Sequence, residues 1–288
     1  MNKMLSLLMR IHIHPLFWIV FAIGIVTASF KQLLMLFVIV LVHELGHAMA
    51  AQFFSWRIRK ILLLPFGGVA EVDEHGNRPF HEDFIVIVSG PLQHIWMMGL
   101  SYVLMMTSII SPATHELFIY HNLLILGFNL LPIWPLDGGK LLFLVLSQRM
   151  AFLEAYKKAL LISACLLAVV SLIAATFYLQ QLHLWIIMLF LLHSLYTDWK
   201  HRQYVYMRFL LERYNGKERE IKNLKPLTVT HEEKIHHILQ RFQRGYKHVI
   251  IIQNDHREQQ QVDENEVLHA YFAEKRMDSP IDELVSFY

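Results

Sequence analysis

The sequence predicts a polytopic α-helical membrane protein of about six transmembrane helices, with a membrane-edge β-hairpin and a small C-terminal α/β domain. Three observations carry that prediction. Of the 288 residues 55% are hydrophobic and 17% charged, against about 25% charged in an ordinary soluble domain. The apolar residues collect in six runs that approach the ~20 residues needed to cross a bilayer as a helix. All six lie before residue 200, and the polar remainder is long enough for a small soluble module.

The six stretches cover residues 15–30, 33–54, 84–110, 117–138, 159–178 and 182–199. Residues 1–14 carry two basic side chains and no small-residue cleavage site, and read as a retained anchor flank. Gly90-Pro91 should kink the third stretch, and Pro132 and Pro135 break the fourth near its end. Broken backbone at membrane depth is tolerated where it lines a cavity. Between the second and third stretches, residues 61–72 place β-branched and apolar residues on both sides of Gly67-Gly68. That run reads either as a hairpin dipping into the membrane edge or as an ordinary apolar loop.

Charge assigns the sides. With six spans, the N-terminus, the loops after the second and fourth spans and the tail share one side. That side holds Lys3, Arg10, Arg57, Arg59, Lys60, Arg78, Lys140, Arg149, Lys157 and Lys158, while the other holds Lys31. By the positive-inside rule both termini are cytoplasmic. The expected domains are residues 1–199 in the membrane, a basic linker helix at 200–223, and a C-terminal domain at 224–288. In the last, strands are expected at 226–230 and 249–252 and helices at 232–242 and 264–274. A formal charge of +2 gives no footprint for nucleic acid. The lone Cys165 excludes both a disulfide framework and a cysteine metal site.

The chemistry is concentrated in His43-Glu44-Leu45-Gly46-His47, which follows ten consecutive apolar residues. Residues four apart share a helix face, so His43 and His47 can grip one metal ion. Glu44 projects about 100° away and can reach a water at that ion without being a ligand. A charged residue at the centre of a membrane helix costs ~2.5–3.5 kcal/mol, so Glu44 needs a reason to be there. Zinc completes such a site with a third protein ligand and keeps one position open. Asp137 is the best remaining carboxylate within the six stretches, and Asp198 lies at the very end of the last one. The alternative for Asp137 is a helix-terminal residue at the interface. His94 reads as a helix-packing histidine that could border the same cavity.

His-Glu-Leu-Gly-His in one span, followed by Asn129-x-x-Pro132-x-x-x-x-Asp137-Gly138, resembles the site-2 protease family of intramembrane zinc metalloproteases. The resemblance extends to the Gly67-Gly68 hairpin and to Ser89-Gly90-Pro91, and the single module after the protease core resembles the family's sporulation branch. It implies one zinc ion on His43, His47 and Asp137, with Glu44 as general base. It implies that Asn129 positions the substrate backbone or stabilises the oxyanion. Phe66, Gly67, Gly68, Val69 and Pro135 would hold the cleaved segment extended, as an added strand. The implied substrate is a membrane-associated regulatory protein, a pro-sigma factor that loses its N-terminal pro-sequence. Inhibitory membrane proteins are the implied partners, and the mother-cell membrane surrounding the forespore the implied location. A metal transporter could use the same three ligands, but it has no need of a general base at position 44.

Residues 224–271 resemble a CBS domain. The resemblance implies ATP or another adenosine nucleotide as ligand, but such units come in pairs and only one is visible here. The Asp-Gly turn usual after the central strand is replaced by residues 254–258, followed by Gln259 to Gln261. Self-pairing into a homo-oligomer and substrate docking are the alternatives.

Overall fold

Lipid offers no hydrogen bonds to a backbone, so apolar runs of this length fold as helices. The computed structural model describes residues 11–13, 30–56, 58–64, 67–72, 78–216, 223–253 and 260–285, together with scattered helical positions between 15 and 25. The first apolar stretch, 15–30, lies largely outside the described residues. Among those residues, four helices are long and apolar enough to cross a membrane: α1 (Phe30–Phe53), α2 (Phe80–Met106), α5 (Phe152–Phe177) and α6 (Leu182–Asn215). The chain divides into two units, one of residues 1–74, 80–142 and 162–195, the other of 75–79, 143–161 and 196–288.

In the first unit, α1 turns its polar residues inward. His43, Glu44 and His47 are buried with Ile39, Ala48 and Ala51, while Leu34, Val38, Met49 and Phe53 are exposed. This inverts the soluble pattern and suits a helix with lipid around it. Ser55 ends the helix in the left-handed region, with φ at 59°, and lets Trp56 N donate to Ala51 O at 2.9 Å. The expected hairpin follows. Strands β2 (Ile58–Leu64) and β3 (Gly67–Val72) pair antiparallel with Leu64 opposite Gly67, and β1 (Ile11–Ile13) adds to β2 in parallel. The strand order β1-β2-β3 makes β3 an edge. β1 was not expected, because a three-residue parallel pairing leaves no periodic trace.

Helix α2 is continuous from Phe80 to Met106 with Pro91 inside it. The fourth stretch is broken near its end, as expected. Its helix, α3 (Pro112–Asn129), ends seven residues before α4 (Asp137–Ser147) begins, and Asp137 heads the new helix. Pro132 and Pro135 force this, because each lacks an N–H and pushes the preceding residue out of helical geometry. The turn is held by Trp134 N donating to Ser163 Oγ at 2.9 Å and by Leu136 N donating to Ile133 O. The peptide bond between Trp134 and Pro135 is cis.

The second unit takes in the later half of α6, which runs to Asn215 without a separate linker helix. β4 (Leu224–Thr230), α7 (Ile235–Gln240), β5 (Lys247–Gln253), β6 (Gln260–Asp263), α8 (Glu264–Phe272) and α9 (Asp282–Val285) follow. Alternation on β5 sends His248, Ile250 and Ile252 inward, against Phe209, Leu210, Ile238, Leu239, Phe242, Val267 and Leu268. Phe152 stacks on Phe209 at 4.1 Å between ring centres.

One buried polar network closes this core. Arg213 donates through Nε to Glu264 Oε1 at 2.6 Å and also binds the carbonyls of Gln243 and Tyr246. Glu264 Oε2 accepts from His248 N at 2.7 Å. Burial pushes the His248 imidazole below its ordinary 6.5. Burial also works against the Glu264 carboxylate, but the hydrogen bonds from His248 and the charge of Arg213 outweigh it and hold the carboxyl below 4.5.

Both groups bind fewer protons folded than unfolded, so this unit loses stability as the pH falls, through His248 below 6.5 and through Glu264 below 4.5. Hydrogen exchange at the Ile250 and Ile252 amides, corrected for intrinsic rate, checks this, and protection that does not fall with pH contradicts it. Arg213→Met strands a buried carboxylate and should lower the same protection by about 3–5 kcal/mol.

Candidate metal centre

The site starts from the close approach of α1 and α2. A Cβ on Gly46 would stand 2.6 Å from Ser89 O, and one on Gly90 would stand 2.1 Å from His47 Nε2. Only glycine at both positions lets the helices meet so closely, the small-residue packing common between membrane helices. Ser89 Oγ fastens the crossing by donating to Gly46 O at 3.0 Å.

Asp137 meets this pair from the start of α4, where the helix dipole favours a carboxylate. Its Oδ2 lies 3.0 Å from His43 Nε2 and 3.0 Å from His47 Nε2, and the two nitrogens are 3.1 Å apart. Ligands on a tetrahedral zinc with bonds of ~2.0–2.1 Å stand ~3.3 Å apart, so the triangle fits such an ion closely. Two imidazoles and one carboxylate are also the donor types zinc takes at catalytic sites. Among the described residues this is the group of three His, Cys, Asp or Glu side chains close enough to share a metal, and all three are buried. The structure therefore brings together His43, His47 and Asp137, which stand 94 and 90 residues apart in the pairs that Asp137 makes. Glu44 is buried next to His43 on the same helix.

The remaining expected residues sit on other elements. Asn129, half-buried at the end of α3, spends its side-chain N–H on Ile125 O at 3.1 Å. Gly67, Gly68 and Val69 pair with Leu64, Leu63 and Leu62 on the edge strand, while Phe66 lies outside the described residues. Pro135 sits in the turn before Asp137.

Four further residues serve the site. Lys140 binds the other carboxylate oxygen, with Nζ 3.1 Å from Asp137 Oδ1. Val86 O receives His47 Nδ1 at 2.7 Å. His94 Nε2 lies 3.1 Å from His43 Nδ1, and His94 Nδ1 lies 3.0 Å from Asn122 Oδ1. Of the four, Lys140 had the clearest signal, a cation one helical turn after Asp137. Asn122 lies seven residues before Asn129, two turns along the same face of α3.

Comparison with known proteins agrees with this geometry. The profile of peptidase family M50 matches residues 31–115 and 109–172. Stage IV sporulation protein FB of Bacillus subtilis is 50% identical over 288 residues, the whole of both chains. A zinc metalloprotease of Methanocaldococcus jannaschii is 32% identical over 169 residues, 54% of this chain and 48% of its own. The solved structure of a site-2 protease from Methanocaldococcus jannaschii is similar with a TM-score of 0.52 and 29% identity, covering 65% of this chain and 89% of that one.

A methyl group at position 90 must push the His47 ring away from Asp137, since it would lie 2.1 Å from Nε2 and 2.4 Å from Cε1. Gly90→Ala is therefore expected to lose bound metal, measured as zinc per purified chain. Gly99→Ala on the same helix, where a Cβ meets nothing within 4 Å, is expected to keep it.

Proposed function

The chain belongs to peptidase family M50, the site-2 proteases, and from that premise we propose how its own residues cut. It is an intramembrane zinc metalloprotease, and the observation that carries the reading is the convergence of three donor atoms from α1 and α4 within 3.0–3.1 Å. His43 and His47 would hold the ion through Nε2 and Asp137 through Oδ2. Zinc bound there supplies Lewis acidity, which polarises a carbonyl oxygen and makes water acidic near neutral pH.

Glu44 does the proton work. Its carboxylate takes a proton from the water as the new C–O bond forms, and then returns it to the amine nitrogen as the peptide C–N bond breaks. Lys140 holds Asp137 Oδ1, leaving Oδ2 to face the histidines. The side-chain amide of Asn129 is assigned to the substrate backbone or the developing oxyanion. A helical substrate hides its carbonyls in its own hydrogen bonds, so it must be drawn out before it is cut. The edge position of β3 supports an added substrate strand along Gly67, Gly68 and Val69, and the same role is assigned to Phe66 and Pro135.

The substrate is assigned as a membrane-associated regulatory protein, a pro-sigma factor shortened at its N-terminus during sporulation. The whole-length likeness to a sporulation protein supports this. The apolar runs and the side taken by the basic residues support six spans with both termini cytoplasmic, and the resemblance to the sporulation branch implies a location in the mother-cell membrane around the forespore and inhibition by membrane partners. Residues 200–223 are assigned as the linker, its Phe209, Leu210 and Arg213 packing into the core that follows, and 224–288 as a CBS-like domain that docks substrate or pairs with a second copy. ATP or another adenosine nucleotide is the small ligand assigned to that domain. A cleft of about 450 Å³ lined by Glu154, Lys157, Glu233, His237 and Arg241, the last paired with Glu233 at 3.3 Å, is large enough for one. Saturable ATP binding to the full chain, lost in Lys157→Glu, is the expected result.

Glu44→Gln keeps the three donors and removes the base. It should retain zinc and lose roughly 10²–10⁴-fold in cleavage rate when enzyme and pro-sigma substrate are compared in matched membranes. Undiminished cleavage by this variant would sink the mechanism.

A further inference from the structure

Two buried polar side chains behind His43 have no part in the mechanism above. His94 lies on α2 and Asn122 on α3, and both have 0% of their surface exposed. With Phe118 O they form an unbroken row ending at His43. Asn122 Nδ2 lies 2.9 Å from Phe118 O, Asn122 Oδ1 lies 3.0 Å from His94 Nδ1, and His94 Nε2 lies 3.1 Å from His43 Nδ1.

The direction of every bond in the row follows from its far end. A backbone carbonyl only accepts, so Asn122 must turn its NH₂ toward Phe118 O and its amide oxygen toward His94. That oxygen also only accepts, so His94 carries its proton on Nδ1 and bares the lone pair of Nε2. This lone pair accepts from His43 Nδ1–H, which leaves His43 Nε2 without a proton and facing Asp137. A metal needs its histidine in that state, and the partner of the other ring nitrogen fixes it. His47 reaches the same state in one step, donating through Nδ1 to Val86 O.

We propose that His94 and Asn122 are positioning residues for the metal centre, a relay that locks His43 as its Nδ1–H tautomer and points Nε2 at the ion. The proposal rests on the zinc reading and adds two side chains to it. Without the row, nothing holds His43 from carrying its proton on Nε2, where it blocks ligation, or from turning its ring.

The test is zinc affinity of the purified full-length chain in detergent, by competition with a chromogenic chelator. His94→Leu, which fills the space without an acceptor, should weaken zinc binding by roughly 10–100-fold. His94→Gln places an amide oxygen near the position of Nε2 and should restore most of that loss. Asn122→Leu, one link further out, should move affinity in the same direction, and it carries the test if His94→Leu does not fold. The visible absorption of the cobalt-substituted protein should shift in His94→Leu and return toward wild type in His94→Gln. Wild-type affinity in His94→Leu, or a loss in His94→Gln as large as in His94→Leu, would overturn the relay while leaving the zinc site standing. A wild-type chain that binds no zinc would overturn the metal reading itself.

Discussion

Gly46 lets two membrane-length helices meet against the Ser89 carbonyl and Gly90 leaves room for the His47 ring, and the metal centre depends on that approach. A Cβ at position 46 would fall 2.6 Å from Ser89 O and force the helices apart, and one at position 90 would displace the His47 ring. Because they do not part, His47 reaches Val86 O, Ser89 reaches Gly46 O, and His43 reaches His94. The polar side of α1 is thereby satisfied by α2 while its apolar side is left outward. In lipid, where apolar surface gains nothing by being buried against other apolar surface, close packing and interhelical hydrogen bonds are what remain to hold helices together.

How much of this was legible in the sequence depended on how locally each feature is encoded. His43, Glu44 and His47 were legible because one helical turn brings them together and because a carboxylate in a membrane helix demands a reason. Asp137 was legible by scarcity, there being few carboxylates at that depth. His94 and Asn122 were not. Their partners lie 51 and 28 residues away, and a single histidine in an apolar helix looks like a packing residue until the bond at each nitrogen is known. The element ends show the same limit. Helix α5 begins at Phe152 rather than 159 because Glu154, Lys157 and Lys158 dilute its first turns. Helix α6 runs on to Asn215 because charged residues do not end a helix once it leaves lipid. Hydropathy reports where lipid stops, and hydrogen bonding reports where the helix stops.

The second unit repeats the logic of the first in water. Its strands were legible in the run 249–252 and in 226–230, but β6 was hidden by its polar composition, Gln260 and Gln261 both being exposed on an edge strand. What makes that core specific is Glu264, whose two oxygens are shared among Arg213, His248 N and His248 Nδ1. A buried carboxylate is tolerated only when its lone pairs are occupied. Asp137 obeys the same rule, with Lys140 on one oxygen and two imidazoles on the other.

The two histidines of the motif differ in how they are held, and the difference decides what the surrounding sequence is free to do. His47 leans on a backbone carbonyl, which any residue at position 86 supplies so long as α2 keeps its path. For His47, then, position 86 can change its side chain without changing the bond. His43 leans on a side chain that leans on another side chain, so positions 94 and 122 must each keep a group of defined polarity. Asn122 cannot be replaced by a residue that only donates, because His94 Nδ1 would then lose its acceptor and the ring could settle with the proton on Nε2. The direction of the whole row would reverse, and His43 would be offered a donor where it needs an acceptor. A three-link relay is thus a stricter constraint on sequence than one bond to the backbone, although both deliver the same bare nitrogen to the ion.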